Sequence, residues 1–97
     1  MQVLGKDKLV DFYKKHANVK SALEAWVSEA QSACWKTPQD IKDCYRSADF
    51  LDGNRVIFNI KGNHYRLVVK VRYQNGIAVI EWVGTHAQYD KIDVSEV

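Results

Sequence analysis

Ninety-seven residues with 46% hydrophobic content and 11% aromatic content are enough for one packed core and exclude a chain disordered by composition. The formal net charge of +2 excludes capture of polyanions by whole-molecule charge, so a nucleic-acid reading must rest on local clustering. No stretch approaches the roughly 18 apolar residues of a membrane span, and Met1 to Lys6 lack the apolar core of a signal peptide; a cytoplasmic chain with no membrane partner is expected.

Gln2-Val3-Leu4 reads as a short first strand. From Lys6 the pattern turns helical, with Leu9, Phe12, Tyr13 and His16 at the i, i+3, i+4, i+7 spacing of one face. Ala17-Asn18 interrupts it. A second helix is expected from Val19 or Lys20 to Trp35, with Ser21-Ala22-Leu23-Glu24 resembling a capping box. Its apolar stripe is Ala22, Leu23, Trp26, Ala30, Ala33 and Cys34. Thr37-Pro38-Gln39-Asp40 supplies an N-cap and a proline at the first helical position, opening a short helix through Cys44. Cys34 and Cys44 are expected as two buried free thiols rather than a disulfide, given a reducing compartment. Tyr45 to Gly53 reads as a loop carrying Arg46, Asp49 and Asp52.

The C-terminal half is richer. Gly62-Asn63 separates two runs of alternating polarity, Arg55 to Lys61 and His64 to Tyr73. This is a hairpin signature. A two-residue loop pairs Lys61 with His64, which places Asn59 opposite Arg66, Ile57 opposite Val68 and Arg55 opposite Lys70. Asn75-Gly76 is the strongest short hairpin signal. It pairs Gln74 with Ile77, and so predicts Arg72 opposite Val79, Lys70 opposite Glu81, Val68 opposite Val83 and Arg66 opposite Thr85. One face then collects Val56, Phe58, Ile60, Tyr65, Leu67, Val69, Val71, Tyr73, Ala78, Ile80 and Trp82, and must be covered by the helices. The other face is left polar. The expected architecture is α+β: an antiparallel sheet of three C-terminal strands plus the short N-terminal strand, packed on one face by an N-terminal helix pair.

On the polar face Asn59, Arg66 and Thr85 fall in one row, with His86 one step beyond. A guanidinium binds phosphate in a bidentate fork, and amide and hydroxyl groups add neutral donors. The bland alternative is an exposed strand arginine that keeps the face solvated. His86 and Tyr89, three apart in a helical turn, can converge, with Lys91 beside them. Histidine suits proton transfer near neutral pH, and tyrosine can stack on a base or donate its phenol. The alternative is a helix-start histidine packed on Tyr89. Lys61, Asn63, His64, Lys70 and Arg72 flank and extend this face and could steer a polyanion, although Lys70 opposite Glu81 could simply offset it. His16, His64 and His86 lack zinc-site spacing, and no close carboxylate pair faces the polar side. No metal or other cofactor is expected. A nuclease of this kind would use the ribose 2′-hydroxyl as nucleophile, with a base, an acid and cations around the phosphorane.

Phe58-Asn59-Ile60-Lys61-Gly62-Asn63-His64-Tyr65-Arg66-Leu67 and Trp82-Val83-Gly84-Thr85-His86-Ala87-Gln88-Tyr89-Asp90-Lys91-Ile92 resemble the HigB-type toxins of type II toxin–antitoxin systems, within the RelE-like superfamily. The resemblance covers essentially the whole chain and implies one RelE-like toxin domain over residues 1–97. It implies an mRNA interferase that enters the ribosomal decoding site and cuts translated mRNA, leaving a cyclic phosphate and a free hydroxyl. It also implies a cognate helix-turn-helix antitoxin of the HigA type, through which alone operator DNA would be bound. By motif, Arg66 would be the phosphate-stabilising cation, and His86, Tyr89 and Lys61 would complete the catalytic set. Asn59, Asn63, His64, Thr85, Lys70, Arg72 and Lys91 would contact substrate. RelE proper is richer in Lys and Arg at these places, so Lys61, His64 and His86 all stand as candidates for the general base, with His86 favoured. The competing expectation is a non-catalytic module of the same fold, whose polar face binds RNA or protein.

Overall fold

The computed structural model describes residues 1–94. In chain order the elements are β1 (Gln2–Leu4), α1 (Lys6–Tyr13), a 3-10 turn (Ala17–Val19), α2 (Lys20–Ser32), α3 (Pro38–Cys44), β2 (Asp49–Leu51), β3 (Arg55–Ile60), β4 (Tyr65–Arg72), β5 (Ile77–Thr85) and α4 (His86–Tyr89). The expected α+β architecture is present. The sheet has five strands in the order β1-β5-β4-β3-β2. It is mixed rather than antiparallel, because β1 runs parallel to β5. β2, read from sequence as loop, pairs antiparallel with β3 at the far edge. Its three residues are all exposed, so no alternation of burial marks it as a strand.

The helices cover one sheet face. Val56, Phe58, Ile60, Tyr65, Leu67, Val69, Val71, Ala78 and Ile80 lie in one buried cluster with Leu9, Val19, Leu23, Trp26 and Ala30. Phe58 is its aromatic centre, with the rings of Trp26, Trp35 and Tyr45 5.2, 6.0 and 5.1 Å away. His16 stacks on Phe12 at 4.3 Å, a packing role. α2 ends at Ser32, short of Trp35, and no side chain caps its start. α3 does carry the expected cap: the Thr37 hydroxyl accepts the Asp40 amide, and Asp40 reciprocates. Cys34 and Cys44 are free but exposed, not buried, because both follow the last buried turn of their helices. No helix among the described residues is long and apolar enough to cross a membrane.

The β3–β4 register matches the sequence reading: Asn59 faces Arg66, Ile57 faces Val68 and Arg55 faces Lys70. The β4–β5 register does not. Arg72 faces Ile77 and Lys70 faces Val79; then a bulge between Val68 and Val69 resets the ladder so that Val68 faces Trp82, Leu67 faces Val83 and Arg66 faces Gly84. A bulge adds one residue to one strand and reverses the inside–outside parity beyond it. Glu81 is the extra residue. Ile80 stays in the core, Val83 packs against it, and Trp82 swings to the opposite face, contrary to expectation. Separately, Arg72 facing Ile77 leaves four residues, Tyr73 to Gly76, rather than two, between the strands.

Contacts from α1 support the bulge. The Lys8 ammonium lies 3.5 and 3.3 Å from the carbonyl oxygens of Ile80 and Glu81. Gly5, which joins β1 to α1 at φ +86, comes so close that a Cβ would stand 2.8 Å from the Ile80 oxygen.

Candidate active site

The sheet face turned away from the helices is not uniformly open. Ile57 and Val68 are buried there, although they lie outside the helix-covered cluster. After β5 the chain turns back over this face. Tyr89 of α4 lies 6.0 Å from Trp82, ring to ring, and Arg55 donates to the Val94 carbonyl. Trp82, released outward by the bulge, fills the space over Gly84.

α4 is a single turn made by local chemistry. The Thr85 hydroxyl accepts the Gln88 amide at 3.1 Å and the Gln88 side chain accepts the Thr85 amide at 2.8 Å, a capping box. The Thr85 hydroxyl, expected to bind substrate, is thus engaged as a helix cap, and Thr85 stands opposite Tyr65 rather than Arg66. The turn is tied to the β3–β4 hairpin by a 2.9 Å bond from the His86 amide to the His64 carbonyl. Two segments more than twenty residues apart are thereby locked side by side.

Lys61, Asn63, His64, Thr85 and His86 line one cleft of about 440 Å³, with Asn18 on its far wall. Within it His86 is half-exposed, and its Nδ1 lies 3.4 Å from Asp90 Oδ2. An imidazole donating Nδ1–H to a carboxylate presents Nε2 as the proton acceptor. Lys61 sits in the left-handed region at φ 53, and its ammonium donates to the Asn18 carbonyl at 3.0 Å. That bond ties the hairpin tip to the helical layer, and Tyr65 adds a second through its hydroxyl to Asn18 Oδ1 at 2.9 Å. The Lys61 amine is occupied as a donor, which weakens its candidacy as a base.

Arg66 is half-buried, and its Nη1 donates to the carbonyls of Asn63 and Tyr65 at 3.2 and 3.4 Å. These bonds hold the guanidinium beside the hairpin that bears the cleft. Its cross-strand neighbour Gly84 has no side chain, and Asn59 on the other side is turned away, its amide nitrogen donating to the Ser47 carbonyl at 3.0 Å. The Arg66 charge acts on Tyr89. Burial pushes the Tyr89 phenol above its ordinary value, Asp49 and Asp90 push it the same way, and Arg66 opposes them. The phenol is therefore a protonated donor at neutral pH and not a base.

Lys91 is exposed just beyond α4, with its amide on the Gln88 carbonyl. Lys70 and Arg72 do not join this group. They line a separate cleft at the other end of β4. Sequence reasoning missed Asn18, Asp49 and Asp90. Only Asp90 had a local signal, its i+4 spacing from His86. Asp49 reaches the site because β2 is a strand, and Asn18 because of how the helical layer sits on the hairpin. Among the described residues there is no group of three or more His, Cys, Asp or Glu side chains placed to share a metal ion.

Residues 19–92, a span that includes every site residue named above except Asn18, match the family model for HigB toxin, the RelE-like toxic component of a toxin–antitoxin system. The chain is similar to the mRNA interferase toxin HigB of Escherichia coli strain K12, with 29% identity over 93 residues, 93% of this chain and 88% of the relative. The mRNA interferases HigB of Escherichia coli O157:H7 and of Shigella flexneri match to the same extent. The family model covers most of this α+β chain, and the chain belongs to the HigB toxin family of RelE-like toxic components of toxin–antitoxin systems.

Proposed function

We propose that this chain is a metal-independent, ribosome-dependent endoribonuclease that cuts translated mRNA in the cytoplasm and is neutralised by a helix-turn-helix antitoxin of the HigA type. The names of its relatives support mRNA as the substrate. The observation that carries the chemistry is the His86–Asp90 pair, held by α4 against the β3–β4 hairpin that also carries Arg66.

In this reading His86 Nε2 takes the proton of a ribose 2′-hydroxyl. The 2′-oxygen attacks the adjacent phosphorus, the bond from phosphorus to the 5′-oxygen breaks, and that oxygen leaves with a proton. The products are a 2′,3′-cyclic phosphate and a 5′-hydroxyl. Arg66 stabilises the added charge of the phosphorane. The Tyr89 phenol, kept protonated, supplies a hydrogen bond or a proton on the leaving side. Asn63, His64 and Lys91 contact the flanking nucleotides.

The test is cleavage of a reporter mRNA in a reconstituted translation reaction, with and without EDTA. His86→Ala should lower the rate by about 10²–10⁴ and Arg66→Ala by about 10²–10³. A deoxyribose at the scissile position should block cutting, and EDTA with free magnesium alone restored to keep the ribosome assembled should leave it intact, which excludes a transition-metal cofactor. Full activity of both variants would refute the site. Cleavage of the deoxyribose substrate would refute the nucleophile.

A further inference from the structure

We propose that Lys36, Lys70 and Arg72 form a second polyanion cleft that grips the phosphate backbone of an RNA strand several nucleotides from the scissile bond. The inference deepens the endoribonuclease reading and rests on it for the choice of ligand.

The cleft encloses about 580 Å³ at the Asn75-Gly76 end of the sheet. Lys36, Asn54, Lys70, Arg72 and Tyr73 line it, and no carboxylate does. A two-residue link at Asn75-Gly76 would set Glu81 across from Lys70. The four-residue link from Tyr73 to Gly76 removes that partner. Lys70 faces Val79 instead, and Glu81 is turned to Arg55, Oε1 to Nε at 3.1 Å. Asp40, the carboxylate nearest Lys36 along the chain, is engaged through Oδ2 by the amides of Lys36 and Thr37. Three cations therefore share one concavity whose walls hold no carboxylate, although the Lys36 charge also acts on Asp40 outside it.

Geometry separates this cleft from the cutting site. Arg72 and His64 are eight residues apart along β4, roughly 26 Å at the rise of a strand. One phosphate cannot touch both. Arg66, Lys70 and Arg72 share one face of β4, with Val68 buried between Arg66 and Lys70, so a strand touching both ends passes around the covered middle of the face. A guanidinium, two ammoniums, an amide and a phenol ring are the groups that bind phosphates and stack a base without reading sequence.

The experiment is fluorescence anisotropy of the full chain with 2′-O-methyl RNA, which cannot be cut, as a 12-mer and a 4-mer over a salt series. The wild type should bind the 12-mer more tightly and with a steeper salt dependence. Lys70→Gln with Arg72→Gln should shrink the 12-mer slope by about 1.4, at roughly 0.7 per phosphate contact on a single strand, and reduce its affinity to that of the 4-mer. Lys36→Gln with Arg72→Gln, both at exposed positions, gives the same readout if loss of Lys70 disturbs the sheet. An unchanged slope in both variants, or equal binding of the two lengths by wild type, overturns the proposal. So does a variant that loses only binding to a poly-glutamate peptide, because the cleft would then serve an acidic protein segment. Cleavage is scored separately: a lost slope with no ribonuclease activity in the wild type sinks the enzymatic reading and keeps the cleft, and intact cleavage with an unchanged slope does the reverse.

Discussion

The indole of Trp82 occupies the volume that a side chain at Gly84 would need: a Cβ there would stand 2.4 and 2.5 Å from Cη2 and Cζ2 of the ring. The pair exists because the bulge places both residues on the face opposite the helices. It explains how Arg66, cross-strand from Gly84, sits beside a wall made by an aromatic ring rather than by its own neighbour.

Gly84→Val should therefore be more disruptive than its position on an outward face suggests. Overpacking costs about 1–3 kcal/mol, and the ring has to move toward Tyr89. Urea denaturation should show the loss. Restoring stability with Trp82→Leu in the same chain would identify the ring as the cause, and strictly additive effects would rule it out.

His86 Nδ1 lies 3.4 Å from Asp90 Oδ2, and in the proposed mechanism Asp90 orients the imidazole, so Asp90→Asn should lower cleavage by about tenfold, well short of the loss from removing the imidazole. The pair is exposed, and its contribution to folding is small. Melting temperature should accordingly stay put while the single-turnover rate falls, and Asp90→Glu should recover most of it. Wild-type rates in Asp90→Asn would leave the imidazole without a need for its partner.

Alkaline pH should loosen the fold through tyrosine. Burial raises the Tyr45 phenol above its ordinary value, and its 2.9 Å hydrogen bond to Glu29 adds to this. Burial raises Tyr73 in the same direction. A folded-state value above the unfolded 10.0 means the folded chain holds these protons more tightly. Their contribution is complete below pH 10 and is lost as pH rises past it. Tyr45→Phe should cost about 1 kcal/mol at neutral pH through the lost bond, yet show a shallower decline above pH 10. Parallel pH–stability curves for the two chains would contradict this.

Lys8→Met removes the ammonium that contacts the two carbonyls beside the bulge. A loss of about 1 kcal/mol is expected, with faster amide exchange confined to Ile80 through Val83. Uniform exchange along β5 would show that the bulge does not depend on Lys8.

Much of this arrangement was legible in the chain. The β3–β4 register, the cap of α3 and the apolar face of β3 and β4 follow from residues within a few positions of one another. Turn residues, caps and period-two alternation act at that range. The β4–β5 ladder failed because its turn chemistry was read as a two-residue link, and because Glu81 and Trp82 fit either parity when taken alone. β2 was missed because three exposed residues at an edge leave no burial pattern.

The sequence by itself determined the fold class, the face to be buried and the presence of Arg66, His86 and Tyr89 near one end of the sheet. These depend on local geometry repeated along each strand. Only the tertiary structure decided that Arg66 faces Gly84, that Glu81 pairs with Arg55 while Lys70 faces Val79, that Lys61 bonds to Asn18, and that Asp49 and Asn18 reach the site. These turn on the length of the β4–β5 link, on one inserted residue in β5, on the pairing of β2 with β3 and on helix-to-sheet docking. A bulge is stabilised by what packs on both faces and by distant donors such as Lys8, so no window of neighbouring residues contains the energies that place it.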